Sequence, residues 1–264
     1  MSKSIFKPIT QWLSQRTMRK VPEVIILFWL IKLLTTAMGE STSDYLVHTV
    51  DPIIAVVVGF IGFVIAVILQ FLNQKYIAWI YWLAVTMVAI FGTMAADVLH
   101  IGLGIHYVIS TIFFTVALTV IFALWYKTEK TLSIHSIYTP RRELFYWATV
   151  VTTFALGTAA GDMTAVTLQL GYLNSGILFG ILFALPLIAY KLFGMSEVFT
   201  FWFSYIMTRP FGASFADLFG RTKDLGGLGF GTGKTSIILT ILIIILVSYL
   251  SITKKDSKNN QLKR

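Results

Sequence analysis

The sequence predicts an all-α integral membrane protein: eight transmembrane helices arranged as four parallel helical-hairpin repeats. Three observations predict it. Hydrophobic residues make up 56% of the 264 and charged residues 12%, against about 25% charged in soluble domains, and the mean hydropathy is +0.79. Apolar stretches long enough to cross a bilayer follow one another along the chain. One motif also returns four times, in alternate stretches.

The apolar stretches place spans at 22–45, 53–72, 76–99, 105–126, 144–164, 173–191, 197–218 and 235–252. Basic residues orient them. With the N-terminus inside, cytoplasmic segments hold sixteen of the 21 Lys and Arg residues, and the opposite face holds three: Arg221, Lys223 and Lys234. Both termini are therefore expected in the cytoplasm. The net charge of +9 follows topology in this way and does not point to nucleic acid. Residues 1–20 lack the apolar region and cleavage site of a signal peptide. Ile5, Phe6, Ile9, Trp12 and Leu13 recur there at helical spacing among basic residues. They suit either a helix lying on the membrane surface or a solvated tail. A second basic tail covers 253–264. With no cysteine, disulfides, thiolate zinc sites and iron–sulfur clusters are excluded.

The odd-numbered spans align on Gly39, Gly92, Gly157 and Gly212. Five residues later come Asp44, Asp97, Asp162 and Asp217; ten residues earlier come Trp29, Trp82, Trp147 and Trp202. An aromatic precedes each tryptophan, and a small residue precedes each aspartate. The repeats run approximately 21–72, 76–126, 143–191 and 197–252, so all four point the same way around an axis along the membrane normal. "IGLGI", "LQLGY" and "GGLGF" open the later even-numbered helices; repeat one reads "HTVDP" instead.

This pattern resembles that of bacterial multi-pass proteins described only as membrane-anchored and defined by a repeat of unknown function. The stretches that carry it are "TTAMGESTSDYLV", "RPFGASFADL" and "GGLGFGT", and the likeness covers nearly everything from Val21 to Leu250. It implies the eight-span architecture in a bacterial inner membrane, and it implies no substrate.

The small residues four positions either side of each glycine form a stripe along which helices can approach closely, so Gly39, Gly92, Gly157 and Gly212 read as packing residues. The tryptophans read as packing residues or interfacial anchors. Each aspartate lies about 140° around the helix from its glycine, off the stripe and free to face a shared interior. Four parallel repeats then gather Asp44, Asp97, Asp162 and Asp217 about one axis, with Glu40 as a fifth acid. Acidic rings attract cations; the bland alternative is that each aspartate caps a segment or closes an ion pair. Lys32 and Arg209 are the candidate charge partners, and Pro210 is expected to kink the seventh span. His48 and His100 share helical faces with Asp44 and Asp97, and with His106 they are the candidate nitrogen ligands for a metal.

"GFGTGKT" lacks the first glycine of a phosphate-binding loop and has no preceding strand. No Ser–His–Asp arrangement or two-histidine zinc helix stands out, so the chain is not expected to be an enzyme. The expected function is transport or channelling of a small cation, Mn²⁺-like divalent ions first, the ion being substrate and no cofactor being expected. A proton-coupled carrier of small organic cations and a non-transporting membrane scaffold or sensory partner are the alternatives. The bilayer and the cation are the expected partners.

Overall fold

The computed structural model describes residues 19–257; the surface-helix expectation for 1–18 lies outside the described residues. Eight long helices and no strands are present among those residues: α1 (Ile26–Thr49), α2 (Pro52–Leu72), α3 (Ala78–Asp97), α4 (Tyr107–Glu129), α5 (Pro140–Asp162), α6 (Gly171–Phe193), α7 (Glu197–Gly220) and α8 (Thr232–Thr253). Several boundaries have a clear local cause. Asp51 accepts hydrogen bonds from the N–H groups of Ile53 and Ile54, with Pro52 at the first helical position of α2. Thr139 and Pro140 start α5 in the same way. Gly194, at φ 65°, ends α6 in the left-handed conformation. α7 continues as one helix past Pro210.

Six of the eight are long and apolar enough to cross a membrane: α2, α3, α4, α5, α6 and α8. α1 and α7 are each 24 residues long, but Lys32, Glu40 and Asp44 interrupt the first, and Arg209 and Asp217 the second. Their place in the bundle explains that. The odd-numbered helices form an inner ring, each touching its two neighbours in the order α1, α3, α5, α7 and back to α1. The even-numbered helices lie outside, with their large apolar side chains exposed, as at Ile53, Ile112, Ile181 and Ile237.

The ring closes by a rule that repeats. A Cβ on Gly39 would collide with Ala89, one on Gly157 with Arg209 and Pro210, and one on Gly212 with Thr36; one on Gly92 would lie 3.3 Å from Phe154. Each glycine thus faces the residue three positions before the next repeat's glycine, and repeat four meets repeat one. The tryptophans obey the same rule, with Phe28 on Trp82, Tyr81 on Trp147, Tyr146 on Trp202 and Phe201 on Trp29, at ring-centroid distances of 5.7, 5.7, 6.0 and 5.7 Å. An interfacial anchor is therefore the wrong description for Trp82, Trp147 and Trp202, which are buried inside this aromatic belt. Aromatic pairs of this kind contribute about 0.5–1.5 kcal/mol each beyond area burial.

The hairpin is the covalent repeat but not the packing unit. α2 leans on α3, α4 on α5, α6 on α7 and α8 on α1, each more than on the odd helix of its own repeat. Grooves between adjacent inner helices receive the outer ones, so every repeat completes its neighbour.

At the end that holds Arg19 and Asp256, the segment before α1 crosses the bundle. Arg19, Lys20 and Val21 are 5%, 3% and 1% exposed. Lys20 donates to Glu143 at 2.5 Å, and Gln70 donates to the same carboxylate at 3.0 Å. The Arg19 carbonyl accepts from Tyr76 N, and Glu23 N donates to the Asp256 carbonyl. Arg19, Lys20 and Asp256, read from sequence as parts of basic tails, belong to the packed domain.

Candidate functional site: a layered polar axis

Stepping by four residues returns to nearly the same face of a helix, so each aspartate tops an inner stripe that descends through its repeat. At the aspartate level are Asp44, Asp97, Asp162 and Asp217. One turn below are Glu40, Thr93, Thr158 and Ala213, then Thr36, Ala89, Phe154 and Arg209, then Lys32, Val85, Val150 and Tyr205, and last Phe28, Tyr81, Tyr146 and Phe201. Every residue below the aspartate level is 5% exposed or less, so the axis is filled and no pore runs through it.

Arg209 organises the middle. Its guanidinium holds Glu40 at 2.5 Å and Thr158 at 3.0 Å, and also donates to Thr93 and, at 3.5 Å, to the Thr36 carbonyl. One side chain from repeat four thereby ties to all three other repeats. Its Nη2 reaches polar groups one position after the glycines of repeats one, two and three, while repeat four has Ala213 at that position. Charge-assisted bonds of this kind are stronger than neutral ones.

The ring of aspartates is uneven. Arg221, in the loop after α7, bridges Asp44 at 2.9 Å and Asp217 at 3.0 Å, both of which are buried. Burial works against the Arg221 charge, but Asp217 and Asp44 more than offset it and push its pKa above the ordinary arginine value. Asp97 and Asp162 are half-buried and form no ion pair among the described residues. They end α3 and α5, and a π-helical turn follows each: Val98–Gly102 and Met163–Thr167. Such turns are rare and frequent at functional sites. Glu40 is an electrostatic neighbour of all four aspartates. One oxygen each from Glu40, Asp44 and Asp217 lies within 4.8 Å of the others, the one such set of three acids or histidines among the described residues.

Two sequence expectations require correction. Arg209 does pair with an acid, but Lys32 does not. It sits two turns below Glu40, with its ammonium 3.8 Å from the centre of the Phe154 ring and 4.2 Å from that of Tyr205. The histidines stay outside the three-acid cluster. His48 Nδ1 bonds the Asp44 backbone carbonyl at 2.6 Å, His100 packs against Tyr107 with the rings tilted and their centroids 4.4 Å apart, and His106 is exposed at the start of α4. Sequence reasoning missed Arg221, Thr93 and Thr158. Following the four-residue register down from each aspartate would have found both threonines.

A family model described as Repeat of Unknown Function (DUF347) matches four times, over residues 27–76, 80–131, 145–195 and 200–256. The chain belongs to this family. Each match in this repeat family takes in one inner helix and the outer helix that follows it, the covalent unit whose glycine, tryptophan and aspartate build the axis. No curated protein and no solved structure matches.

Proposed function

We propose that this DUF347 protein is an eight-span carrier of a small cation, set in a bacterial inner membrane. Six apolar helices support a membrane-embedded bundle, and the central position of α1 and α7 supports counting them as spans too. The sixteen-to-three asymmetry of basic residues supports a cytoplasmic position for the end that holds Arg19 and Asp256 and an outer position for the aspartates. The observation that carries the reading is charge. Five carboxylates meet two guanidinium groups at one end of the axis, and Asp97 and Asp162 lack a partner among the described residues.

The cation is drawn first to Asp97 and Asp162, because Arg221 already occupies the opposite half of the ring. From there it competes with Arg209 and Arg221 for Glu40, Asp44 and Asp217. An oxygen-only set suits a hard divalent ion, with Mn²⁺ the first to test. The filled axis favours a carrier over an open channel. A second reading, a proton-coupled carrier of small organic cations, is favoured by the aromatic faces that already hold the Lys32 ammonium.

The test is calorimetric titration of the purified protein with a panel of divalent and organic cations, alongside flux in proteoliposomes. Mn²⁺ should bind and move; Asp97→Asn and Asp162→Asn should each weaken binding at least tenfold while remaining monodisperse. Folded variants with undiminished binding and flux would falsify the ion-site reading and leave a structural role for the acids.

A further inference from the structure

Lys32 is 1% exposed, near the middle of α1, and its ammonium has no hydrogen-bond partner and no ion pair among the described residues. Only ring faces receive it, those of Phe154 and Tyr205. Phe154 also faces the Arg209 guanidinium, 5.7 Å from the ring centre, so one ring lies against two cations. Glu40 is the single carboxylate bonded to either of them. A guanidinium keeps its charge under all ordinary conditions, whereas a buried ammonium readily gives up a proton.

We propose that Lys32 is a proton-exchanging residue, protonated while Arg209 is paired with Glu40 and deprotonated when a cation takes Glu40 from Arg209. This inference rests on the cation reading above and adds a coupling ion to it. Its logic is local charge balance. Once Glu40 binds the incoming cation, Arg209 and Lys32 are two positive groups without an anion between them. Arg209 cannot discharge. Lys32 can: one N–H bond breaks, the electron pair stays on Nζ as the amine, and the proton leaves. One proton is released for each cation that reaches Glu40, so the two are exchanged.

The titratable and charged groups around Lys32 fit this role. α7 contributes Arg209 and Tyr205, and α1 itself contributes Glu40 two turns above; α5 presents Phe154 with Tyr146 below it, and α3 presents Tyr81. The tyrosines form a line away from Lys32. Tyr205 is an electrostatic neighbour of Tyr146, whose hydroxyl is 2.5 Å from that of Tyr81. The Tyr81 ring lies 5.7 Å from the ring of Tyr76, which donates to Asp256 at 2.5 Å. Within this line the Tyr146 and Tyr81 hydroxyls are bonded to each other and can pass a proton between them, while the Tyr205 hydroxyl has no hydrogen-bond partner among the described residues.

The experiment measures protons released when Mn²⁺ is added to purified, weakly buffered protein containing a pH dye, with calorimetry counting the bound ion. The parent should release about one proton per cation at Glu40. Lys32→Met removes the group and Lys32→Arg keeps the charge but cannot discharge, so both should bind Mn²⁺ with release reduced at least tenfold. Tyr146→Phe should slow release tenfold or more with its stoichiometry unchanged. Lys32 variants that release as many protons as the parent would overturn the proposal. Mn²⁺ binding by the parent without proton release overturns it alone, whereas no binding of any cation in the panel overturns it together with the carrier reading.

Discussion

The two halves of the aspartate ring have the same repeat position but opposite environments. Between repeats four and one, Arg221 spans Asp217 and Asp44, and the helices that bear them stay α-helical to the end. Between repeats two and three there is no such bridge, and each helix passes into a π turn just after its aspartate. The glycine contacts show the same division. Gly92 against repeat three is the loosest of the four at 3.3 Å, and the other three leave no room for a Cβ. A repeated motif position therefore does not fix a role. One half of the ring is braced by the protein's own cation, and the other half has no such brace among the described residues.

The most direct way to break this contrast is to unbrace the first half. Arg221→Ala leaves two buried carboxylates without their cation and should cost about 3 kcal/mol, less than a fully enclosed pair because Arg221 is partly exposed. Thermal unfolding in detergent would read this as a clearly lowered midpoint; an unchanged midpoint would show that the bridge contributes nothing.

A smaller effect separates the aspartates themselves. Asp44→Asn and Asp217→Asn should destabilise by about 1–2 kcal/mol by weakening charge-assisted bonds. Asp97→Asn and Asp162→Asn should be neutral or slightly stabilising, since an unpaired, half-buried charge is removed. Equal unfolding midpoints for all four variants would erase the distinction.

The glycines give the most graded measurement. Gly39→Ala, Gly157→Ala and Gly212→Ala should each cost about 1–3 kcal/mol through overpacking, and Gly92→Ala less than any of them. Gly92→Ala costing as much as Gly157→Ala would show that the looser junction has no energetic meaning.

Much of this was legible in the sequence, for identifiable reasons. Long apolar runs fixed the number of helices and most of their positions, because a bilayer demands a nearly uniform length. The 140° offset between glycine and aspartate separates the packing stripe from the inner stripe. What escaped depends on closure. Arg221 follows α7 in the sequence, and nothing local indicates that Asp44, 177 residues earlier, lies beside it. Arg19 and Lys20 have the composition of a tail and are buried because Glu23, Glu143, His135 and the carbonyls of Pro22 and Phe71 receive their charges. The π turns leave no signal in composition or periodicity.

Closure also changes what a repeat count means. In a solenoid, each unit stacks on the last, and units can be added or removed at the ends. Here Gly212 meets Thr36, Phe201 meets Trp29, and the Glu23 amide donates to the Asp256 carbonyl at 2.9 Å. The described bundle is a circle cut open at one junction, with Glu23 and Asp256 side by side there. Four is then a geometric constant of the molecule, and the order in which the repeats are translated is one of four equivalent ways to draw the same circle.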